Sequence, residues 1–149
     1  MKARPVGLTI VATLMAVTAI GTLLFWVTFF ADLEAQRTGY FASQSNSWFA
    51  WELSFPLADG WMSLTALLAA VGLWRMRPLG LFFALVSSGA MVFLGLMDAL
   101  FFLQNGLYAP INAEVAVEMV IHIWTVAFGL TAMVTVWRHR YALLPAQTI

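Results

Sequence analysis

Four apolar runs separated by shorter polar segments constrain the fold of this chain more than any other feature. They cover residues 6–31, 53–74, 79–103 and 115–137, and each reaches the ~20 residues that a helix needs to cross a bilayer. Only 9% of the residues are charged, whereas a soluble domain carries about 25%. The sequence therefore predicts an all-α fold, an integral membrane four-helix bundle, in a single domain covering residues 1–149.

The first run resembles a secretory signal peptide in one respect, because Lys2 and Arg4 precede it. It spans about 25 residues, however, and the apolar region of a signal peptide has roughly 7–15. It also ends in Trp26, Phe29 and Phe30 rather than in small residues. We therefore expect the run to be a true membrane span.

The basic residues predict how the spans are oriented. Only Arg37 lies in the long segment 32–52, whose polar residues lead into a short aromatic stretch typical of a membrane interface. The other six lie before the first span, between the second and third, or after the fourth. Because positively charged loops stay in the cytoplasm, we expect a multi-pass membrane protein with both termini cytoplasmic. The six residues are Lys2, Arg4, Arg75, Arg77, Arg138 and Arg140.

Three acidic residues and one histidine lie inside the predicted spans: Asp59, Asp98, Glu118 and His122. At a rise of 1.5 Å per residue, they lie roughly 5–12 Å below the outer ends of their helices. Ionisable side chains at membrane depth nearly always face the interior of a bundle. The sequence therefore predicts one acidic pocket, open toward the outside.

Helical spacing extends these polar faces toward the helix ends, where it adds Glu52, Glu114 and Asn105. At the starts of the second and fourth spans, Ser54 and Asn112 are predicted N-caps. Small residues on the same faces allow the helices to approach closely. The predicted binding residues are Asp59, Asp98, Glu118, His122, Glu114, Glu52 and Asn105.

Charge balance favours a binding role for this pocket, because several carboxylates share one histidine and no arginine or lysine lies at that depth. Such a pocket must hold protons or attract a cation. We therefore expect it to bind a cation, protons or a small amphiphilic ligand. Asp98 lies where its helix dipole opposes a negative charge, so it is expected to be protonated, or paired with His122 or a ligand.

Other interpretations of the acidic residues stay open. A metal ion on Asp98, Glu118 and His122 would have suitable ligands, but Glu118 and His122 are four residues apart rather than the three of ferritin-like sites. We therefore expect no cofactor. The acids could instead fix helix packing in an accessory or assembly subunit of a larger membrane complex, or in a self-associating protein. An isomerase-like enzyme is the least favoured alternative.

Zero net charge argues against nucleic acid as a partner, and the absence of cysteine excludes disulfides and thiolate chemistry. Residues 55–64 (FPLADGWMSL), 93–108 (FLGLMDALFFLQNGLY) and 114–124 (EVAVEMVIHIW) resemble a group of small bacterial four-helix membrane proteins. The resemblance implies the fold of spans two to four, a location in the bacterial cytoplasmic membrane, and no particular activity. The architecture is also similar to that of the sterol-isomerase and sigma-2-receptor type of membrane proteins, which hold acidic residues in a bundle pocket.

Overall fold

The structure, a computed structural model, describes residues 4–144, which contain helices and no strand. Lys2, one of the predicted cytoplasmic cations, lies outside the described residues. Eight helices follow one another within residues 4–144. They are α1 (Val6–Ala31), α2 (Leu33–Thr38), α3 (Tyr40–Gln44), α4 (Trp48–Glu52), α5 (Pro56–Trp74), α6 (Pro78–Gln104), α7 (Ala113–Arg138) and α8 (Arg140–Leu143).

Four of these helices, α1, α5, α6 and α7, are long and apolar enough to cross a membrane. The bounds of α1 coincide with the predicted span, and those of α6 and α7 differ by one or two residues at each end. Helix α5 begins at Pro56 instead of residue 53.

Of the two predicted N-caps, the one of α7 is confirmed and the one of α5 is wrong. Asn112 caps α7 as predicted, since its Oδ1 accepts a hydrogen bond from the Val115 N–H at 2.8 Å. The prediction for Ser54 is wrong: Phe55 occupies the N-cap position of α5. The Ser54 hydroxyl instead donates to the Trp51 carbonyl at 2.6 Å, which satisfies the end of α4 rather than the start of α5.

The long helices are arranged with α5 between α1 and α6, and α6 between α5 and α7. Helices α5 and α6 form a tight hairpin. They approach so closely that a Cβ on Gly80 would lie 2.5 Å from the Gly72 carbonyl carbon. Met76, in the turn, has a φ of 51°. Its left-handed conformation lets the Arg77 N–H bond the Gly72 carbonyl at 2.8 Å and close the end of α5.

Small residues also hold α6 against α7. A Cβ on Gly129 would lie 2.9 Å from the Ser88 carbonyl oxygen, and one on Gly95 would lie 2.2 Å from the Thr125 Oγ1. Such close approach requires glycine at both positions. It fixes the register that brings Asp98 of α6 to the level of His122 of α7.

The segment between α1 and α5 covers one end of the bundle with aromatic side chains. The Trp51 ring stacks on Phe101 with centroids 4.5 Å apart, and Phe41 packs edge-on against Phe102 at 5.1 Å. The sequence predicted a polar loop that leads into a short interfacial aromatic segment here, and the structure places α2, α3 and α4 in it. We call this the acidic end, because it carries Asp59, Asp98 and Glu118. The opposite end is the basic end, and it carries Arg4, Arg75, Arg77, Arg138 and Arg140.

Candidate functional site

A cavity of about 390 Å³ lies inside the acidic half of the bundle. Small and apolar side chains of the four long helices form most of its wall. Among the described residues that line it, none is lysine or arginine. The titratable groups of the wall are Glu52, Asp59, Asp98, Glu118 and His122.

Two of the carboxyl groups accept hydrogen bonds from tryptophan. The Trp26 indole of α1 donates to Asp59 Oδ2 at 2.9 Å, and the Trp51 indole of α4 donates to Asp98 Oδ1 at 2.9 Å. Each bond joins two elements that are distant in sequence. The indoles therefore position both carboxyl groups at the cavity wall while leaving one oxygen of each without that bond.

The His122 ring lies between the cavity and a half-buried tyrosine. Its Nδ1 is 2.7 Å from the Tyr108 hydroxyl oxygen, and the residue is only 4% exposed. Its Nε2 is buried and has no hydrogen-bond partner. The nearest carboxylate oxygens, Asp98 Oδ2 and Glu118 Oε2, are 3.7 and 3.8 Å away, which is too far for a hydrogen bond.

Tyr108 is the hydrogen-bond partner of His122 Nδ1. Burial, followed by the negative charges of Asp98 and Glu118, raises the pKa of Tyr108, so its hydroxyl keeps its proton at neutral pH. The hydroxyl can donate to Nδ1, which leaves the imidazole hydrogen on Nε2, or accept from Nδ1–H, which leaves a lone pair on Nε2. In either tautomer His122 presents an unused polar atom toward the Asp98 and Glu118 side of the cavity.

Glu52 closes the cavity at the acidic end. It is the last residue of α4 and is only 9% exposed. Burial raises its pKa well above the usual range, and the charges of Asp98, Glu118 and Asp59 raise it further. A carboxyl group at this position therefore takes up a proton readily, or requires a cation near it to stay ionised.

The structure brings five of the seven predicted binding residues to the cavity and leaves two outside it. Glu114 is exposed in the first turn of α7, beyond the level of the cavity. Asn105 is exposed at the end of α6, where its amide donates to the Phe101 carbonyl at 2.9 Å. Its Oδ1 accepts from the Ser45 hydroxyl at 3.3 Å, so the side chain fastens α3 to α6.

The alternative of a metal ion finds no support in the arrangement. Within residues 4–144, no group of three or more histidine, aspartate or glutamate side chains is placed so that it could hold a metal. The three proposed ligands Asp98, Glu118 and His122 share the cavity wall, but they do not form a coordination geometry.

Three residues that contact the titratable groups of the cavity were not predicted from the sequence, namely Trp26, Trp51 and Tyr108. Tryptophans at the ends of predicted spans are typical of the aromatic belts of a membrane, so their sequence positions alone do not indicate a site. Their position at the height of Asp59 and Asp98 was nevertheless a usable indication, because a buried indole N–H requires an acceptor.

Comparison of the chain with protein-family models, with curated proteins and with solved structures gives no match.

Proposed function

We propose that the chain is an integral protein of the bacterial cytoplasmic membrane, crossed by α1, α5, α6 and α7, with both termini in the cytoplasm. The length and hydropathy of the four helices support insertion. The orientation is supported by the five arginines of the basic end, opposed by Arg37 alone at the acidic end. In this orientation the cavity lies in the external half of the bilayer.

The function that we propose for the cavity is to bind a positively charged ligand. Four carboxyl groups and one histidine share its wall, and no cationic side chain among the described residues lies there to neutralise them. Carboxylates enclosed together repel one another unless they are protonated or meet a cation. A ligand cation would compensate their charge, and an ammonium ligand would donate to His122 Nε2 in the tautomer that leaves a lone pair on that nitrogen.

The unpartnered Nε2 of His122 is the observation that carries this proposal. A packing network stabilises a bundle only if its buried polar atoms are satisfied, and this atom is buried without a partner. Leaving a buried donor or acceptor unpaired costs about 1–3 kcal/mol. A cation that donates a hydrogen bond to the Nε2 lone pair, or coordinates it, would remove that cost.

Thermal unfolding of the purified protein tests the proposal. Sodium, magnesium, zinc and dodecylamine are added separately, and we expect at least one to raise the unfolding temperature. A ligand at a hundred times its dissociation constant stabilises by about 2.7 kcal/mol. If none of them stabilises the protein at neutral pH, a cation-binding role is wrong, and protons remain the only positive occupant.

Asp98→Asn identifies the site, because asparagine keeps an oxygen that can accept from the Trp51 indole but carries no charge. We expect this variant to be as stable as the wild type without ligand, or more stable, since an enclosed charge is gone. Its stabilisation by the ligand should vanish. The control Glu114→Gln removes an exposed charge outside the cavity and should respond as the wild type does. Full ligand response by Asp98→Asn would exclude Asp98 from the site.

A second candidate function is that of an accessory or assembly subunit of a membrane complex. The two indole bonds favour it, because Trp26 to Asp59 joins α1 to α5 and Trp51 to Asp98 joins α4 to α6. In that case the acids serve packing. The protein should then co-purify with partners from its own membrane, and no cation should stabilise the isolated chain.

A further inference from the structure

The cavity reaches the surface of the bundle along the seam between α1 and α7. These two helices make few contacts, in contrast to the three other pairs of adjacent long helices. They touch at the basic end, where a Cβ on Gly7 would lie 3.3 Å from Thr135 Cγ2. Toward the acidic end they separate, and residues of both helices line the cavity there.

The side chains along this seam line the cavity and are exposed on the outside as well. Phe25 of α1 is 40% exposed, and Ile121 and Trp124 of α7 are 41% and 39% exposed. A residue that belongs to both a cavity wall and the outer surface marks the mouth of the cavity. The mouth is therefore lateral and apolar, whereas the sequence predicted an opening toward the outside.

The acidic end, by contrast, is covered. Trp51 stacks on Phe101, and its indole is bonded to Asp98. Glu52 and Phe55, which follow Trp51 in the covering segment between α1 and α5, are buried and form part of the cavity wall. A molecule that enters along the bundle axis would have to displace these contacts, whereas the seam is bridged by the Trp124 indole, which donates to Thr18 Oγ1 at 3.1 Å.

The position of the seam indicates what lies outside it. Thr18 is near the middle of α1 and Trp124 near the middle of α7, so in a bilayer both lie at the depth of the acyl chains. Behind this apolar mouth lie Asp98, Glu118 and His122. The order from outside to inside is therefore lipid, apolar mouth and anionic wall.

We propose that the ligand is a cationic amphiphile of the membrane, such as a long-chain amine, that enters sideways through the α1–α7 seam. Its charged head would lie against Asp98 and Glu118, and its apolar chain would pass between Phe25 and Trp124 into the bilayer. A pocket of the observed size is in the range of roughly 300–1,000 Å³ typical of small-molecule sites. This inference rests on the proposed function, since it presupposes a positively charged ligand.

A trapping experiment tests the route, and it is practicable because the chain has no cysteine of its own. The variant Thr18→Cys/Trp124→Cys is placed in lipid nanodiscs and loaded with radiolabelled dodecylamine. A short bis-methanethiosulfonate then links the two helices, and excess empty vesicles remove amine that is not enclosed. We expect the linked protein to retain the amine longer than its reduced form, by on the order of tenfold or more, because access controls the dissociation rate.

Two controls separate the seam from other routes. Gly7→Cys/Thr135→Cys links the same helices at the basic end, where they already touch, and should not retain the amine. Ser45→Cys/Asn105→Cys links α3 to the end of α6, and retention by this pair would overturn the lateral route in favour of the acidic end. If the first variant does not fold, Thr22→Cys/Ile121→Cys spans the seam one turn closer to the acidic end.

The order of linking and loading gives a second measure. Protein that is linked across the seam before the amine is added should take up little of it, and reduction should restore the uptake. If the reduced protein binds dodecylamine but linking changes neither uptake nor release, the lateral route is wrong and the proposed function stands. If the reduced and wild-type proteins bind no dodecylamine, a long-chain amine is not the ligand. The unfolding temperatures with sodium, magnesium and zinc then decide the proposed function separately.

Discussion

The four carboxyl groups of the cavity differ in what surrounds them, although their chemistry is the same. Asp59 and Asp98 are each held by an indole, and Glu118 lies 3.8 Å from the histidine nitrogen. Glu52 is enclosed by the other three acids, which together with burial raise its pKa. Among the described groups outside the long helices, Glu52 is therefore the one whose ionisation most destabilises the fold.

The stability of the protein should consequently depend on the protonation of Glu52. Because its pKa is raised in the folded protein, the folded state binds the proton more tightly than the unfolded state does. The stabilisation is fully present below the ordinary glutamate pKa of 4.5, and it is lost as the pH rises through the folded value. Each tenfold difference in proton affinity corresponds to about 1.4 kcal/mol.

We therefore expect Glu52→Gln to match the wild type near pH 4 and to become progressively more stable than it at higher pH. Unfolding temperatures between pH 4 and 8 measure this difference. Glu34→Gln, which changes an exposed glutamate of α2, is the control and should run parallel to the wild type. A Glu52→Gln curve that also stays parallel would show that Glu52 is solvated in the folded protein.

At the scale of helices, length and hydropathy were sufficient to predict the four long elements. Their ends were predicted less well, because a cap depends on one side chain: Asn112 was placed correctly and Ser54 was not. The three short helices of the segment 33–52 were missed. Runs of five or six residues are too short to show a helical period. Aromatic side chains of α3 and α4 pack on α1 and α6, and this packing rather than propensity stabilises the two helices.

The hairpin of α5 and α6 should be the part of the fold that is most sensitive to a single added methyl group. A Cβ on Gly80 would meet backbone atoms of Gly72 at 2.5 Å, and backbone cannot move aside as a flexible side chain can. We expect Gly80→Ala to destabilise by about 1–3 kcal/mol, the usual cost of overpacking. Unfolding in mixed micelles with increasing denaturing detergent measures the change.

Gly89→Ala is the matched control, because it lies in the same helix and its Cβ would meet no atom within 4 Å. It should be as stable as the wild type, or slightly more stable because alanine favours helix over glycine. Equal stability of the two alanine variants would mean that α5 and α6 are not in backbone contact at this point.

At the scale of the whole molecule, the sequence predicted which residues share the cavity but not its partners or its mouth. Helical spacing placed Asp59, Asp98, Glu118 and His122 at one height, and charge at that depth required an interior position. It could not exclude Glu114, which shares a helix face with Glu118 but lies beyond the cavity. The contacts of Tyr108 and the opening along α1 and α7 depend on helix packing angles, which no local pattern encodes.

Topology in the membrane is the prediction on which the external position of the cavity depends. Five arginines lie at the basic end of the described chain, and retaining positive charge in the cytoplasm sets the orientation of a bundle with short loops. Paired alkaline phosphatase and green fluorescent protein fusions should therefore report cytoplasmic positions within residues 75–78 and after Arg140. Fusions within residues 43–47 and near Asn105 should report external positions.

The two possible failures of this experiment have different meanings. If all four positions are reversed, the four spans stand but the cavity lies in the cytoplasmic half of the bilayer, and amines of the inner leaflet become its candidates. If the fusions after Arg140 and within residues 75–78 disagree with each other, an odd number of spans separates them. One of α6 and α7 then does not cross the membrane. Asp98 and His122 could no longer face one cavity at the same depth, and the binding site itself would be excluded.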